Sequence, residues 1–532
     1  MTKRLFCVVL LLSFIVLSAA CGRNEVTVIY TNILSKADTL DPQAQNSAGA
    51  KTLILNTYEG LTRVTPEGEV VPAAAFSYEI SSDGLTYSFR LRTDGKWYFD
   101  SSKEDGLDGL TEANFDARVT SADFVYAFRR GADPATKCSD TQVFSVIKNG
   151  QAVLAGSKTP DKLGISAPDD YTLVIQLEKP RTDFLRLLSG PSAMPCSESF
   201  FNACGGRYGR RLATCTGNGP FCLTRLRDEN DGTRSYRLSK NPVYSGESKP
   251  QVDYVWMYQS SDPDNMTNSL AQGDYNMIYA DEYRLSVIDA AAYTVATIPN
   301  ATDCVIFNMN SVYSANASLR KAIASSLDAR AVSSELHREH TISAIPGSCL
   351  TPGAGFEASL GPEEITELIG KAINELGEQN LTLTLLCPQS AQAAFKKQQQ
   401  LWQESLTVAV NINIKAVADS SFASELSGGD YDMAFAPVYA LSTDSLEYLS
   451  QFTPTGKTGS LYGLNISGVN IGVTEALASS GDPTLTERAL LASRCVVPIC
   501  TNESALVYSD KLSGAYVTGA EYEIFFERAH FS

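Results

Sequence analysis

The sequence predicts an α/β protein with more than one domain, on three observations. The chain has 532 residues, which is too long for a single hydrophobic core and predicts two or three domains. Residues 363–438 alternate between helical and strand periodicity, a pattern typical of parallel strands joined by right-handed crossovers. Residues 58–128 combine a β-hairpin pattern with the start of a capped helix. We therefore expect a mixture of helices and strands along the chain.

The hairpin is predicted within residues 77–91. Residues 77–80 and 85–91 are two short strand-like segments, and Asp83-Gly84 lies between them. This pair favours a tight turn because glycine tolerates the positive φ that the turn requires. Further along, residues 120–123 read Thr-Ser-Ala-Asp, which fits a capping box at the start of a helix. We therefore expect a strand pair followed by a helix.

The strongest periodicity lies between residues 363 and 438. Residues 363–376 place their apolar side chains on one helical face. The segments that follow alternate in type: a strand at 381–386, a helix at 391–406, a strand at 410–417, a short helix at 422–426 and a strand at 431–438. In open sheets of this kind, ligands bind beyond the carboxyl ends of the strands. The loop that begins at Tyr439 is therefore expected to face a ligand site.

The first 21 residues have the pattern of a secretory leader. Two basic residues precede an apolar run at 5–17, and small residues precede Cys21. The run is too short to span a membrane as a helix, so residues 1–20 are predicted to be a signal peptide. A Cys in this place resembles a lipoprotein cleavage site, although Ser18 occupies the position where Leu is usual. We therefore expect an exported protein that is lipid-anchored through Cys21 on the outer face of the cell membrane, or periplasmic.

The net charge bears on the possible binding partners, and the cysteine content bears on disulfide formation. The formal net charge of −17 argues against nucleic acid or an anionic membrane surface as a binding partner. Ten cysteines follow Cys21, and an even number in an exported chain permits disulfides. The alternative is that several are small buried hydrophobic residues. Three pairs are close enough in sequence to close small loops: Cys196 with Cys204, Cys215 with Cys222, and Cys495 with Cys500.

The sequence carries no motif for catalysis or for a cofactor. Of its three histidines, His337 and His340 lie close together but lack the H-E-x-x-H arrangement of a zinc site. A nucleophile elbow, a Walker loop and a dinucleotide fingerprint are all missing. The basic cluster at 205–211 lacks the context of a phosphate site, and the acidic segment 100–116 lacks calcium-loop spacing, so both are predicted to be solvated loops. We therefore expect a protein that is not an enzyme and has no metal or cofactor.

A series of motifs in a fixed order resembles one protein family. The motifs are TLDP at 39–42, EGL at 59–61, SSDGLTYSFRLR at 81–92, SADFVYAFRR at 121–130, KLGISAPDDYTLVIQLEKP at 162–180, GNGPF at 217–221, SKNPVYSG at 239–246, LRKAIASSLDAR at 319–330, YDMAFAPV at 431–438 and VVPI at 496–499. They resemble the extracellular solute-binding proteins (family 5) of peptide ABC importers, which include the oligopeptide- and dipeptide-binding proteins. The resemblance covers nearly the whole chain after the leader.

The resemblance implies an α/β, periplasmic-binding-protein-like fold with two lobes and an additional subdomain in the first lobe. It assigns lobe one to 22–62, 175–290 and 500–532, the added subdomain to 63–174, and lobe two to 291–499. Members of the family close their lobes around a ligand and deliver it to a membrane permease. The implied partners are a peptide ligand, the permease and ATPase subunits of the importer, and the membrane through the lipid anchor. The binding protein itself is expected to be a monomer.

The resemblance also implies which residues contact the ligand. Peptide-binding members hold an extended peptide by main-chain hydrogen bonds, which give affinity without reading side chains. The matching residues follow the TLDP turn and the last strand: Asn46, Ser47 and Ala48, and Pro437, Val438, Tyr439 and Ala440. Phe307 matches a position whose aromatic ring packs on the ligand, and a place in the core is the alternative. The expected set of ligand-binding residues also includes Asp419, Leu441 and Asp444.

One departure from the family pattern concerns the ammonium group of the ligand. Peptide-binding members carry an Asp shortly after the final strand, and the matching position here is Leu441. Asp444 is the expected substitute, and a cap on the helix near Leu446 is the alternative. The expected function is capture of oligopeptides for an ABC importer. The alternatives are a non-peptide solute such as glutathione, a sugar or nickel, a surface peptide sensor, and a secreted enzyme on the same scaffold.

Overall fold

The computed structural model describes residues 26–532, apart from short gaps. The gaps are 34, 46, 139, 231, 260–262, 281–284, 286–287, 348, 350–352, 354–359, 407–408, 441–443, 480–481, 510 and 519–522. The predicted signal peptide and Cys21 lie outside the described residues, as do Asn46 and Leu441. Within the described residues, no helix is both long enough and apolar enough to cross a membrane.

The first sheet has four strands drawn from both ends of the first 260 residues. Their order is Val28–Ile33, Tyr254–Gln259, Arg234–Lys240 and Phe221–Asp228. The first two strands are parallel and the other neighbours are antiparallel. The helix Ala48–Thr57 contacts the last of these strands. It buries Leu53 and Ile54 in the core beneath the sheet.

The predicted hairpin belongs to a second, antiparallel sheet. The strand order is Ala75–Ile80, Thr86–Leu91, Thr172–Gln176 and Ile165–Asp169. Gly84 has φ of 69° in the turn of the hairpin, which is the conformation that its sequence predicts. The helix Ser121–Ala132 packs against the last two strands. Its capping box is confirmed, because the Thr120 backbone N–H donates to the Asp123 carboxylate at 2.7 Å.

The third sheet has six strands and contains the predicted parallel series. Its order is Met277–Ala280, Val496–Tyr508, Thr294–Phe307, Met433–Tyr439, Leu381–Pro388 and Val410–Val417. Leu381–Pro388 runs parallel to both of its neighbours, as the strand–helix alternation predicts. The helices between these strands are Pro362–Leu376, Gln392–Ser405 and Asp419–Gly428. Each lies within a few residues of its predicted position.

The other helices connect or cover these sheets. In the N-terminal half they are Gln142–Ser145, Gly150–Leu154, Phe184–Leu187, Glu198–Ala203 and Pro263–Gln272. In the C-terminal half they are Val312–Ala315, Ala317–Ser325, Ala329–Glu335, Ser445–Ser450, Lys457–Tyr462, Ser467–Ser479 and Pro483–Ala492. Short two-stranded pairs complete the structure: Thr62–Val64 with Val70–Pro72, Leu512–Ser513 with His530–Phe531, and Tyr516–Val517 with Ile524–Phe525.

Separate hydrophobic cores divide the molecule into two lobes. The first lobe surrounds a main core, formed by residues between 29 and 279 and between 506 and 529, and a smaller cluster that includes Leu270, Ile278 and Val507 lies beside it. The second lobe surrounds two cores, formed by residues between 304 and 500. The strands Thr294–Phe307 and Val496–Tyr508 run through both lobes, and the pairing between them shifts register after Ile298. The lobes are therefore joined by two paired strands, and the expected boundary between residues 499 and 500 lies within one of them.

The first lobe is tied together by contacts between distant sequence motifs. Arg130, in the helix that follows the capping box, forms a buried ion pair with Asp41 of the TLDP turn. It also donates to the side-chain oxygen of Gln43 at 2.7 Å. Its guanidinium lies 4.3 Å from the centre of the Phe201 ring, a favourable cation–π geometry. The turn is thereby fixed to the helix although 80 or more residues separate them.

The GNGPF segment passes directly against the end of the helix Ala48–Thr57. A Cβ atom on Gly217 would lie 2.0 Å from the carbonyl oxygen of Thr57, so only glycine permits this approach. The contact brings Asn218 beside Glu59. Its side-chain amide donates to the Glu59 carbonyl at 2.9 Å and accepts from the Glu59 backbone N–H at 3.0 Å. These two hydrogen bonds hold the backbone of Glu59 in a fixed position.

The structure also tests the interpretations of segment 100–116 and of the cysteines. Segment 100–116 is only partly a solvated loop, because it forms a short 3-10 helix, Ser101–Gly106, and buries Leu107 and Phe115 in the first-lobe core. None of the three candidate cysteine pairs is bonded in the described part of the chain. Cys196, for example, is a buried thiol whose pKa is raised to about 12 by its burial. The interpretation of these cysteines as small buried hydrophobic residues therefore fits the structure.

Candidate ligand-binding cleft

A cleft of about 200 Å³ lies between the two lobes. The first lobe supplies most of its wall, from the helix Ala48–Thr57 and the residues after it, from residues 186–194, and from residues 516–518 and 523–527. Tyr439, Glu447 and Lys457 reach it from the second lobe. A ligand bound in this cleft would therefore touch both lobes.

Of the residues predicted at the end of the last strand, Tyr439 reaches the cleft. It is the final residue of the strand Met433–Tyr439, and it lines the cleft as the direction of this strand predicts. Its neighbours Val438 and Ala440 are buried in the second-lobe core. Pro437 pairs with Asp303 within the sheet. This alternation follows from strand geometry, in which successive side chains point to opposite faces.

The residues predicted after the TLDP turn lie at the start of a helix. Ser47 caps the helix Ala48–Thr57 by accepting the backbone N–H of Ala50 at 3.2 Å. Ala48 lies beside a second and much smaller cavity within the first lobe. The same helix reaches the main cleft further along, through Lys51 and Leu55. Sequence reasoning missed these two residues, although their spacing of four places them on one helical face.

Phe307 and Asp419 do not contribute described side chains to the cleft. Phe307 is fully buried, with 0% of its surface exposed, and it packs in the second-lobe core. It pairs with Met433 in the neighbouring strand. The core interpretation of Phe307 therefore fits the structure. Asp419 begins the helix Asp419–Gly428, and its side chain lies outside the described part of the structure.

Asp444 is the cap of the helix Ser445–Ser450. Its Oδ1 accepts the backbone N–H groups of Leu446 at 2.7 Å and Glu447 at 3.1 Å. This is the helix-capping role that the alternative interpretation predicts for Asp444. The carboxylate of Glu447, one helical turn further on, belongs to a residue that is only 8% exposed and that lines the cleft. The second lobe thus brings a carboxylate to the cleft three residues beyond the expected position.

Glu59 joins three of the sequence motifs at the wall of the cleft. Its Oε1 accepts the hydroxyl of Tyr244 at 2.6 Å, and its Oε2 lies 3.2 Å from the guanidinium of Arg92. These residues belong to the EGL, NPVYSG and SFRLR segments. Burial raises the pKa of the Glu59 carboxyl, whereas Arg92 and the Tyr244 hydroxyl act in the opposite direction. The three segments are therefore linked through one buried polar cluster.

Charged side chains of both signs line the cleft. The cations are Lys51, Arg63, Arg186 and Lys457, and the anions are Glu59, Asp140, Glu447, Glu523 and Glu527. Burial raises the pKa of Glu523 from its ordinary value of 4.5 to about 7, while Lys51 acts in the opposite direction. Buried charges are stable when they find counter-charges and hydrogen bonds. The lining therefore suits a polar ligand that carries charged groups of its own.

The described wall of the cleft contains carboxyl, amine, guanidinium and hydroxyl groups. Among the described residues that form the wall of the cleft, none is a histidine or a cysteine. The part of the chain that the structure describes also has no group of three side chains placed to hold a metal ion. His340 hydrogen-bonds the carbonyl oxygen of Ile499 at 2.8 Å, away from this wall.

A family model identifies the class of protein that this fold and cleft define. The model described as "Bacterial extracellular solute-binding proteins, family 5 Middle" matches residues 69–460, which is most of the chain. The chain therefore belongs to the bacterial extracellular solute-binding proteins of family 5.

Two curated relatives span most of the chain. The dipeptide-binding protein of Lactococcus lactis subsp. cremoris (strain MG1363) is 26% identical over 478 residues, which cover 85% of this chain and 83% of that protein. The dipeptide-binding protein DppE of Bacillus subtilis (strain 168) is 25% identical over 407 residues, covering 73% and 69% of the two chains. Both are similar to this chain over more than one lobe.

Solved structures confirm the predicted α/β fold with two lobes. Listeria monocytogenes OppA bound to peptide superposes with a TM-score of 0.74 at 21% identity, covering 96% of this chain and 99% of that one. The Escherichia coli murein tripeptide binding protein MppA superposes with a TM-score of 0.74 at 21% identity, covering 95% and 99%. At these identities the likeness is one of fold.

Proposed function

We propose that this protein is the substrate-binding component of an ABC importer and captures peptides between its two lobes. The observation that carries the proposal is the cleft, in which charges of both signs from both lobes meet the end of the strand Met433–Tyr439. A peptide carries charged termini and a polar backbone, which suit such a wall. Membership of the solute-binding family and the names of the two dipeptide-binding relatives support peptide as the ligand class.

Tyr439 is the proposed point of contact at the end of the strand, with Glu447 and Lys457 beside it on the second lobe. The first lobe presents Lys51 and Glu59 on the opposite wall. Asn46 and Leu441 lie outside the described residues, and their contact with the ligand stays a prediction. Ser47 and Ala48 belong to the same prediction through the helix that they begin.

The proposed mechanism is closure of the lobes without any covalent step. A ligand that touches both walls binds the closed form more tightly than the open form, so binding shifts the equilibrium towards closure. The paired strands Thr294–Phe307 and Val496–Tyr508 connect the lobes and would bend as they move. The closed, loaded monomer would then deliver its peptide to the permease and ATPase subunits of the importer.

A titration of ligand-free protein with short peptides tests the proposal. The protein is unfolded in guanidinium to release any bound ligand, refolded, and examined by calorimetry and small-angle X-ray scattering. We expect saturable binding together with a decrease in the radius of gyration. Binding without compaction would contradict the closure mechanism, and failure of all peptides to bind would contradict the peptide assignment.

We also propose that Cys21 is the first residue of the mature protein and carries the lipid anchor. The apolar leader ends on small residues directly before this thiol. Cys21→Ala should move the protein from the membrane fraction to the medium or the periplasm, while Cys7→Ala should leave it with the membranes. Unchanged fractionation of the Cys21 variant would contradict the anchor.

A further inference from the structure

Alternate residues of one C-terminal segment line the cleft. Glu523, Phe525 and Glu527 all lie in its wall, while Ile524 and Phe526 between them are buried in the first-lobe core. This pattern is expected of an extended segment, whose side chains point alternately to opposite sides. The Phe525 ring stacks on the Tyr516 ring, with 5.0 Å between centroids and 10° between planes. The wall therefore places a flat aromatic surface between two carboxyl groups.

Glu527 has an oxygen that lacks a hydrogen-bond partner. The residue is only 6% exposed, and its Oε1 accepts the hydroxyl of Tyr516. Its Oε2 is buried and has no hydrogen-bond partner within the described part of the chain. Leaving a buried acceptor unpaired destabilises a protein, so an unpaired acceptor on a residue that lines a cleft indicates a donor supplied by a ligand.

Arg63 does not satisfy this carboxylate. Its guanidinium lies 3.8 Å from Glu527 Oε1, which is beyond hydrogen-bond distance. The same guanidinium donates to Ser248 Oγ at 3.2 Å and lies 3.8 Å from Glu247. Arg63 thus lies near three partners, and none of these contacts is with Glu527 Oε2.

We propose that this wall is a subsite for a basic side chain of the bound ligand. The methylene groups of a lysine or arginine would lie on the ring pair Phe525–Tyr516, and its charged end would donate to Glu527 Oε2. The inference rests on the proposed peptide-binding function and adds a specificity to it.

The charge balance around the segment favours a cation over a neutral donor. Near Glu523, the positive charge of Lys51 is opposed by both Glu523 and Asp140. Near Glu527, Arg63 and Arg528 both act on the Tyr516 hydroxyl that donates to Glu527. The group around Glu523 has two carboxyl groups and one lysine, so it would gain from one further positive charge.

Calorimetry with two matched series of alanine peptides tests the subsite. In one series a lysine moves through the positions of the peptide, and in the other a leucine does so. We expect lysine to bind about ten-fold more tightly than leucine at one position, since a charge-assisted hydrogen bond is stronger than a neutral one. In Glu527→Gln this advantage should fall to about two-fold or less, and leucine peptides should bind as they do to the wild type.

The control variant is Glu67→Gln, which removes an exposed carboxylate beside Arg528 and outside the cleft. It should bind both series as the wild type does. If Glu527→Gln does not fold, Glu523→Gln tests the same wall. Equal affinities for lysine and leucine at every position, or equal losses for both in the variant, would overturn the subsite and leave peptide binding standing. Failure of both series to bind the wild type would instead contradict the proposed function.

Discussion

The backbone N–H of Thr182 in the first lobe donates to the carbonyl oxygen of Leu477 in the second lobe, at 3.1 Å. The Thr182 hydroxyl also points to this oxygen, at 3.4 Å. Leu477 lies near the end of the helix Ser467–Ser479, where carbonyl groups lack partners within the helix. The two lobes therefore touch directly at this point, and in the proposed mechanism the contact would stabilise the closed form.

Removing this contact should favour the open form. Thr182→Pro lacks the N–H donor, and a hydrogen bond contributes about 0.5–1.5 kcal/mol net. We therefore expect peptide affinity to fall by roughly two- to ten-fold and the radius of gyration of ligand-free protein to rise in X-ray scattering. Thr182→Val keeps the N–H and should behave almost as the wild type. Unchanged affinity and scattering in the proline variant would show that the contact does not stabilise closure.

The ion pair between Asp41 and Arg130 should be strongly coupled. Both side chains are nearly buried, and removing one partner leaves an uncompensated charge in the core. Asp41→Asn and Arg130→Met should each lower the free energy of unfolding by about 3–5 kcal/mol. The double variant should lose much less than the sum of the two, as chemical denaturation of all four proteins would reveal. Simple additivity would mean that the two residues act independently.

Substitutions at Asp444 separate its two interpretations. As a helix cap, Asp444→Ala should lower stability by about 1 kcal/mol, and Asp444→Asn should be nearly neutral because asparagine also caps well. As an ammonium ligand, Asp444→Asn should weaken free peptides but not N-acetylated ones. Thermal denaturation and calorimetry on the same variants measure both effects. Full stability of the alanine variant would contradict the capping role.

Glu523 should make stability depend on pH. Its pKa is raised to about 7 in the folded protein by burial, so its contribution to stability is fully present below about pH 4.5 and is lost as the pH rises through about 7. Glu523→Gln does not titrate. Relative to the wild type, its free energy of unfolding should therefore increase by about 1–3 kcal/mol between acidic and mildly alkaline pH.

The control for this titration is Glu67→Gln. The pKa of the Glu67 carboxyl is lowered, chiefly by a hydrogen bond with Thr65, so its substitution should not give a gain at high pH. Denaturation of the wild type and both variants across this pH range gives the comparison. A constant difference between Glu523→Gln and the wild type would mean that Glu523 titrates normally.

Short sequence patterns predicted most of the strands and helices, because these elements depend on interactions between residues that are close in sequence. The Asp83-Gly84 turn and the capping box at Thr120 depend on residues a few positions apart, and the structure confirms both. The parallel strands between 381 and 439 follow from periodicity and from the rule on crossovers. This topology also predicted that the loop beginning at Tyr439 faces a ligand site, and Tyr439 lines the cleft.

The rest of the cleft depends on contacts that no local pattern encodes. Glu59 meets Arg92 and Tyr244 only when three separate segments fold together. Residues 516–518 and 523–527 return to the first lobe after the chain has completed the second, and their strands are only two residues long. Phe307 illustrates the converse, because a family position suggested ligand contact whereas Phe307 lies in the buried half of its strand, with 0% of its surface exposed.

Native mass spectrometry of freshly purified protein tests the central claim most directly. The account predicts that the protein retains a heterogeneous set of ligands, which are released on denaturation and sequence as intact peptides enriched in lysine and arginine. Intact recovery is expected because the proposed mechanism of lobe closure includes no covalent step. A single non-peptide mass that short peptides in excess do not displace would contradict the account.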